Sequence, residues 1–227
     1  GYTIGFKVIG ATGTTIHGWC DDYYSRFTNK SNLEGWTPGD FESNIAEIGG
    51  TGKRIISVGS YVTRAYSVMS SEDDISSFSS KGPTLDGRMK PDISAPGEYL
   101  VSSMSNSSYS VSDNSTEIQR GDTVIVNGIN YYWGAIRGTS MSSPMVAGTL
   151  ALWLEANPNL TPEDVREIFS ETAIRDEWTG SQPNNTWGYG KLDAWGGLKK
   201  VLELNGIEEN YIAENNNGVK VFANNGL

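Results

Sequence analysis

From Ser140 to Ala156 the chain reads Ser-Met-Ser-Ser-Pro-Met-Val-Ala-Gly-Thr-Leu-Ala-Leu-Trp-Leu-Glu-Ala, with Glu155 as its one charged residue. A helix that is apolar on nearly every side offers no face to water and has to be buried. The segment therefore predicts a domain built around a central helix that starts near Ser140 and stops before Asn157-Pro158. At 227 residues the chain can supply one sizeable core around it.

The flanking segments point to strands and further helices. Ile55 to Val62 is a short apolar run ending in Gly and small residues, which fits a strand buried on both faces of a parallel sheet. Glu98 to Met104 is a second strand candidate. Thr123–Val126 and Ile129–Trp133 flank Asn127-Gly128, which supplies the positive φ angles of a type I′ hairpin turn. Thr161-Pro162-Glu163-Asp164 reads as an N-cap, a proline at the first helical position and an acidic first turn, opening a helix to about Thr172. A third helix is predicted from Asp193 or Ala194 to about Leu204, closed by Asn205-Gly206. The class is α/β.

The remaining segments carry weaker signals. Tyr2–Ile9 and Thr14–Cys20 are expected as strands. Residues 21–50 are expected as an irregular excursion. The Ser-, Gly- and Pro-rich stretch 71–97 is expected as extended loops. The main domain is assigned to residues 1–206. Residues 207–227, with the run Asn215-Asn216-Asn217, read as a linker or the start of a truncated further module.

Composition removes several function classes. A net charge of -10 opposes a nucleic-acid surface, which needs clustered Lys and Arg. No run has the ~18 apolar residues of a membrane-spanning helix. Cys20 is the single cysteine, so an internal disulfide framework and a Cys-based zinc site are both excluded. His17 is the single histidine, and most serine and cysteine hydrolases need a histidine base.

The chemistry concentrates at Gly138-Thr139-Ser140-Met141-Ser142-Ser143-Pro144. Glycine permits a tight backbone just before a helix. A serine in the first turn then sits beside unpaired N–H groups and the positive end of the helix dipole, which would stabilise an alkoxide or a tetrahedral oxyanion. Pro144 removes an N–H that would otherwise bond to the Ser140 carbonyl, which loosens the first turn. From the spacing alone, a helix-capping role for Thr139 or Ser140 is the simpler alternative.

The longer string Arg137 to Gly148 resembles the active-site serine motif of the subtilisin-like serine proteases, Gly-Thr-Ser-Met-Ala-x-Pro, with Ser142 in place of the usual alanine. Further stretches resemble that family in its order. Ile55–Ser60 is similar to its Val-Ile-x-Val-Gly-Ala strand, and Ser77–Pro83 to its Phe-Ser-x-x-Gly-Pro segment. Lys90–Gly97 is similar to Lys-Pro-Asp-Ile-x-Ala-Pro-Gly, and Gly188–Ala194 to Gly-x-Gly-x-x-Asp-Ala. The resemblance spans roughly residues 45–200. It implies a partial subtilisin-like α/β fold with an added β-hairpin. It also implies a serine-type endopeptidase in which Ser140 is the nucleophile and Gly138, Thr139, Met141 and Pro144 complete the nucleophile and oxyanion motif.

The family's other catalytic elements are absent from the sequence. Its triad follows the chain order Asp, His, Ser. The Asp-Ser/Thr-Gly and His-Gly-Thr-His contexts do not occur, nor does any Gly-Asn dipeptide for the oxyanion asparagine. His17 is followed by Gly18-Trp19 and lies too close to the Ile55–Ser60 strand for the family layout, so it reads as a strand or loop residue. Asp73, Asp74 and Asp92 read as surface or turn residues rather than a displaced triad aspartate.

The expectation is therefore a chain that supplies the nucleophile half of a catalytic domain, inactive alone, whose partner is the N-terminal half of the same domain. A non-catalytic binding module derived from such a protease is the alternative. The resemblance further implies a protein or peptide substrate and a secreted setting. No cofactor is assigned; calcium is common in the family, yet no carboxylate cluster here has a ligand spacing. Half a parallel sheet exposes an unpaired edge and an apolar face, so self-association of the fragment is also expected.

Overall fold

A computed structural model describes residues 9–19, 39, 42–45, 50–64, 71–104 and 118–206. Cys20, almost all of Tyr2–Ile9, most of the 21–50 excursion and the 207–227 tail lie outside the described residues.

The predicted strand at 55–62 forms as β1 (Val58–Val62). It pairs in parallel with β2 (Ile93–Glu98), in the register Val58↔Ile93, Gly59↔Ser94, Ser60↔Ala95. The expected loop at 90–97 is thus a strand over its second half. Pro96 hides this strand in the sequence, because its missing N–H has the character of a strand breaker. On its other side β2 is flanked by the closing glycine-rich segment: the Ser94 N–H donates to the Gly190 carbonyl, and the Leu192 N–H to that of Ser94.

Three strands form a second, antiparallel sheet in the order β3-β5-β4: β3 (Leu100–Met104), β4 (Ile118–Val126) and β5 (Ile129–Ile136). The predicted hairpin is present. Asn127 and Gly128 have φ of 52° and 77°, as a type I′ turn requires. Thr14 to Trp19, expected as a strand, has no regular structure and is exposed. With no ladder partner among the described residues, its β-branched composition cannot form one.

Three helices complete the fold. α1 (Thr139–Ala156) packs on both parallel strands, with Ser142, Val146, Thr149 and Trp153 buried. α2 (Pro162–Thr172) opens with a capping box: Thr161 Oγ1 accepts from the Asp164 N–H, and the Asp164 carboxylate accepts from the Thr161 N–H. α3 (Ala194–Leu204) is capped by Asp193, which accepts from the Gly196 N–H at 2.7 Å. The core joins Ile93, Ala95, Val146, Trp153, Val165, Ile168, Phe169 and Val201. Trp153 is its centre: its Nε1–H donates to the Ala194 carbonyl, and its ring lies 5.6 Å from that of Phe169. Gly197 lets α3 lie on the indole, where a Cβ would overlap the ring.

The all-round burial predicted for α1 is not met. Met145, Leu152 and Leu154 are 47%, 55% and 43% exposed, because the described residues pack against one stripe of the helix only.

Two ion-pair networks tie distant segments together, the first of them buried and joined to α2. Asp92, expected as a surface or turn residue, is buried. Its Oδ2 accepts from Lys90 Nζ at 2.5 Å and from the Ser57 N–H at 2.7 Å, and its Oδ1 from Arg166 Nε on α2 at 2.9 Å. In the second network Lys191 Nζ donates to Asp73 at 2.9 Å and Asp176 at 2.8 Å and lies over the Tyr61 and Trp187 rings. Burial disfavours the Lys191 ammonium, but the hydrogen bonds it donates to Asp176 and Asp73 outweigh it and raise its pKa.

Candidate active site

The N-cap of α1 is Gly138, at φ 147° and ψ 156°, a backbone that L side chains rarely adopt. Among the described residues no side chain caps the helix. Neither Thr139 nor Ser140 therefore plays the capping role that the spacing left open. Ser140 lies in the first turn and is exposed. Among the described residues its hydroxyl makes no hydrogen bond, and the Thr139 and Ser140 N–H groups have no partner. The Met141 N–H turns back to the Gly138 carbonyl at 2.9 Å. An exposed hydroxyl thus stands beside unpaired N–H groups at the positive end of an 18-residue helix. Pro144 lies inside the helix, so the Ser140 carbonyl has no amide donor four residues on. Gly138, Thr139, Ser140, Met141 and Pro144 thus share one helix start.

Gly97 sets this helix start against the parallel sheet. Its carbonyl accepts from the Gly138 N–H at 2.8 Å. A Cβ at Gly97 would overlap the hydroxyls of Ser142 and Ser60. The sequence showed Gly97 only as the end of a Pro-Gly loop; the signal available was its place in the Lys90–Gly97 segment. Ser142 is fully buried there, and its Oγ has no partner among the described residues. An unsatisfied buried hydroxyl costs about 1–3 kcal/mol. Ser142→Ala is therefore expected to stabilise the chain by about 1 kcal/mol, read as a higher urea midpoint; a lower midpoint would reveal a partner for the hydroxyl.

The other titratable candidates do not gather at Ser140. His17 is exposed, its ring stacked 6.3 Å from that of Trp19, and no hydrogen bond joins it to Ser140. Asp73 and Asp92 are held by Lys191 and by Lys90 with Arg166. Asp74 accepts from the Ile75 N–H within its own turn.

Residues 28–190 match the Subtilase family, and the chain belongs to it. It is 37% identical over 145 residues to "Serine protease AprX" of Bacillus subtilis, covering 64% of this chain and 30% of that protein. It is 31% identical over 130 residues to "Minor extracellular protease Vpr" of the same organism, covering 56% of this chain and 14% of that one. The fold is similar to that of the CspB protease of Clostridium perfringens, with a TM-score of 0.51 and 24% identity over 73% of this chain and 30% of that one. The chain thus spans a minor part of these relatives' length. Among the described residues no helix is long and apolar enough to cross a membrane.

Proposed function

We propose that this chain is the nucleophile-bearing part of a serine-type endopeptidase and that Ser140 is its nucleophile. The observation that carries the reading is the exposed Ser140 hydroxyl, without a hydrogen bond among the described residues, at a helix start where the Thr139 and Ser140 N–H groups have no partner among those residues and the cap is a glycine in a conformation few other residues adopt. In the reaction, the Ser140 oxygen would attack the scissile carbonyl carbon of a protein or peptide substrate, and the resulting oxyanion would accept from the free N–H groups. The proton lost from Ser140 needs a base, and a serine alcohol without one is a weak nucleophile at neutral pH.

The base, its orienting acid and the second oxyanion donor would come from a further part of the catalytic domain. The apolar face of α1 at Met145 and Leu152 supports this, since water is an unfavourable neighbour for it. The kinship with a protease whose name calls it extracellular supports a secreted setting.

The test is to express this chain alone and joined to the residues encoded ahead of Gly1, and to treat both with a fluorophosphonate probe. Labelling at Ser140 in the longer protein, with no peptidase activity in the chain alone, is the expected result. Ser140-dependent cleavage by the chain alone would overturn its assignment as an incomplete site. An unlabelled longer protein would favour a binding module derived from a protease.

A further inference from the structure

Arg137 stands between β5 and Gly138, one residue before the cap of the nucleophile's helix. It is half-buried, and its guanidinium lies 5.8 Å from the centroid of the Tyr99 ring. Tyr99 is itself buried and has φ of 56°, an unfavourable backbone for a bulky side chain. Strain of this kind is kept where surrounding structure fixes it, and it collects at ligand clamps. The ladder pair Leu100↔Ile136 ends the antiparallel sheet at this point, so Tyr99 and Arg137 face each other one step beyond it.

The chain has 27 acidic residues against 17 basic ones, so a cation without an acid is informative. Arg54, Arg88 and Arg166 each meet a carboxylate. Arg137 meets none among the described residues, and it makes no hydrogen bond there. The Tyr99 ring lies within cation–π range of the guanidinium, whose N–H groups have no partner among the described residues. A planar fork of donors beside a ring fits a carboxylate with two parallel hydrogen bonds. An extended substrate advances ~3.3 Å per residue, so a side chain one or two residues from the bond at Ser140 passes within reach of residue 137.

We propose that Arg137 is a specificity-determining residue: it takes the carboxylate of an Asp or Glu side chain lying within two residues of the bond that Ser140 attacks. This rests on the reading of Ser140 as nucleophile. The test uses the full-length protease and fluorogenic peptides that carry Asp, Asn or Lys, one at a time, at each of the two positions on either side of the scissile bond.

At one of these positions Asp is expected to exceed Asn in kcat/KM by about tenfold, the scale of a hydrogen bond to a charged group. The preference should shrink as salt is raised. Arg137→Gln should abolish it, and Arg137→Glu should turn it into a preference for Lys. Cleavage with equal rates for Asp and Asn at every position, or an Asp preference unchanged in Arg137→Gln, overturns the role of Arg137 while leaving Ser140 as nucleophile. Absence of any Ser140-dependent cleavage and labelling overturns both.

Discussion

Ser140→Ala in the full-length protease is expected to lower turnover by a factor on the order of 10⁶, while leaving the fold intact. The loss is large because the residual rate comes only from the backbone N–H groups and from substrate binding, which cannot replace a covalent route. The fold is spared because Ser140 is exposed and its hydroxyl bonds to nothing among the described residues. Stability should change by about 0.5 kcal/mol or less, as at an ordinary surface site. A capping serine would behave in the opposite way, losing about 1 kcal/mol of stability with no special loss of rate. Paired measurements of kcat and the urea midpoint separate the two. A variant that keeps a tenth of the wild-type turnover would remove Ser140 from the chemistry.

Asp92→Ala should cost about 3–5 kcal/mol of stability, enough to unfold a marginal domain. Asp92 is buried and accepts from Lys90, Arg166 and the Ser57 N–H. Its removal leaves the buried Lys90 ammonium with the Ile55 carbonyl as its one remaining partner among the described residues. A buried charge without its counter-ion accounts for most of the cost. Arg166→Ala is the informative comparison. The Arg166 side chain is 20% exposed, and the Asp92–Lys90 pair survives its loss. It should therefore cost clearly less. Equal urea midpoints for the two variants would show that the triad does not depend on its central carboxylate.

Local signals predicted well wherever a few neighbouring residues decide the outcome. The Asn127-Gly128 turn, the Thr161–Asp164 capping box and the end of α3 at Asn205-Gly206 all formed as read. Each depends on φ preferences or on a hydrogen bond within one turn. The helix start at Ser140 was legible for the same reason, apart from the identity of its cap.

What the sequence hid depends on residues far apart. Asp92 looked like a turn residue because its acceptor bonds run to Ser57 and Arg166, neither of them near it along the chain. The strand at Ile93–Glu98 was obscured by Pro96, whose missing N–H is tolerable only in a particular register. The importance of Gly97 is likewise a matter of what crosses it. Arg137 opens the string that resembles the serine motif but fills no position of its Gly-Thr-Ser-Met-Ala-x-Pro pattern; its interest comes from the lack of a counter-ion among the described residues and from the Tyr99 ring beside it.

The single hydrogen bond from the Gly138 N–H to the Gly97 carbonyl has an evolutionary consequence. It staples together the two ends of everything between residues 97 and 138. The far end of the antiparallel sheet, at the Asn127-Gly128 turn, can then lengthen, shorten or change its surface without tilting the helix that carries Ser140.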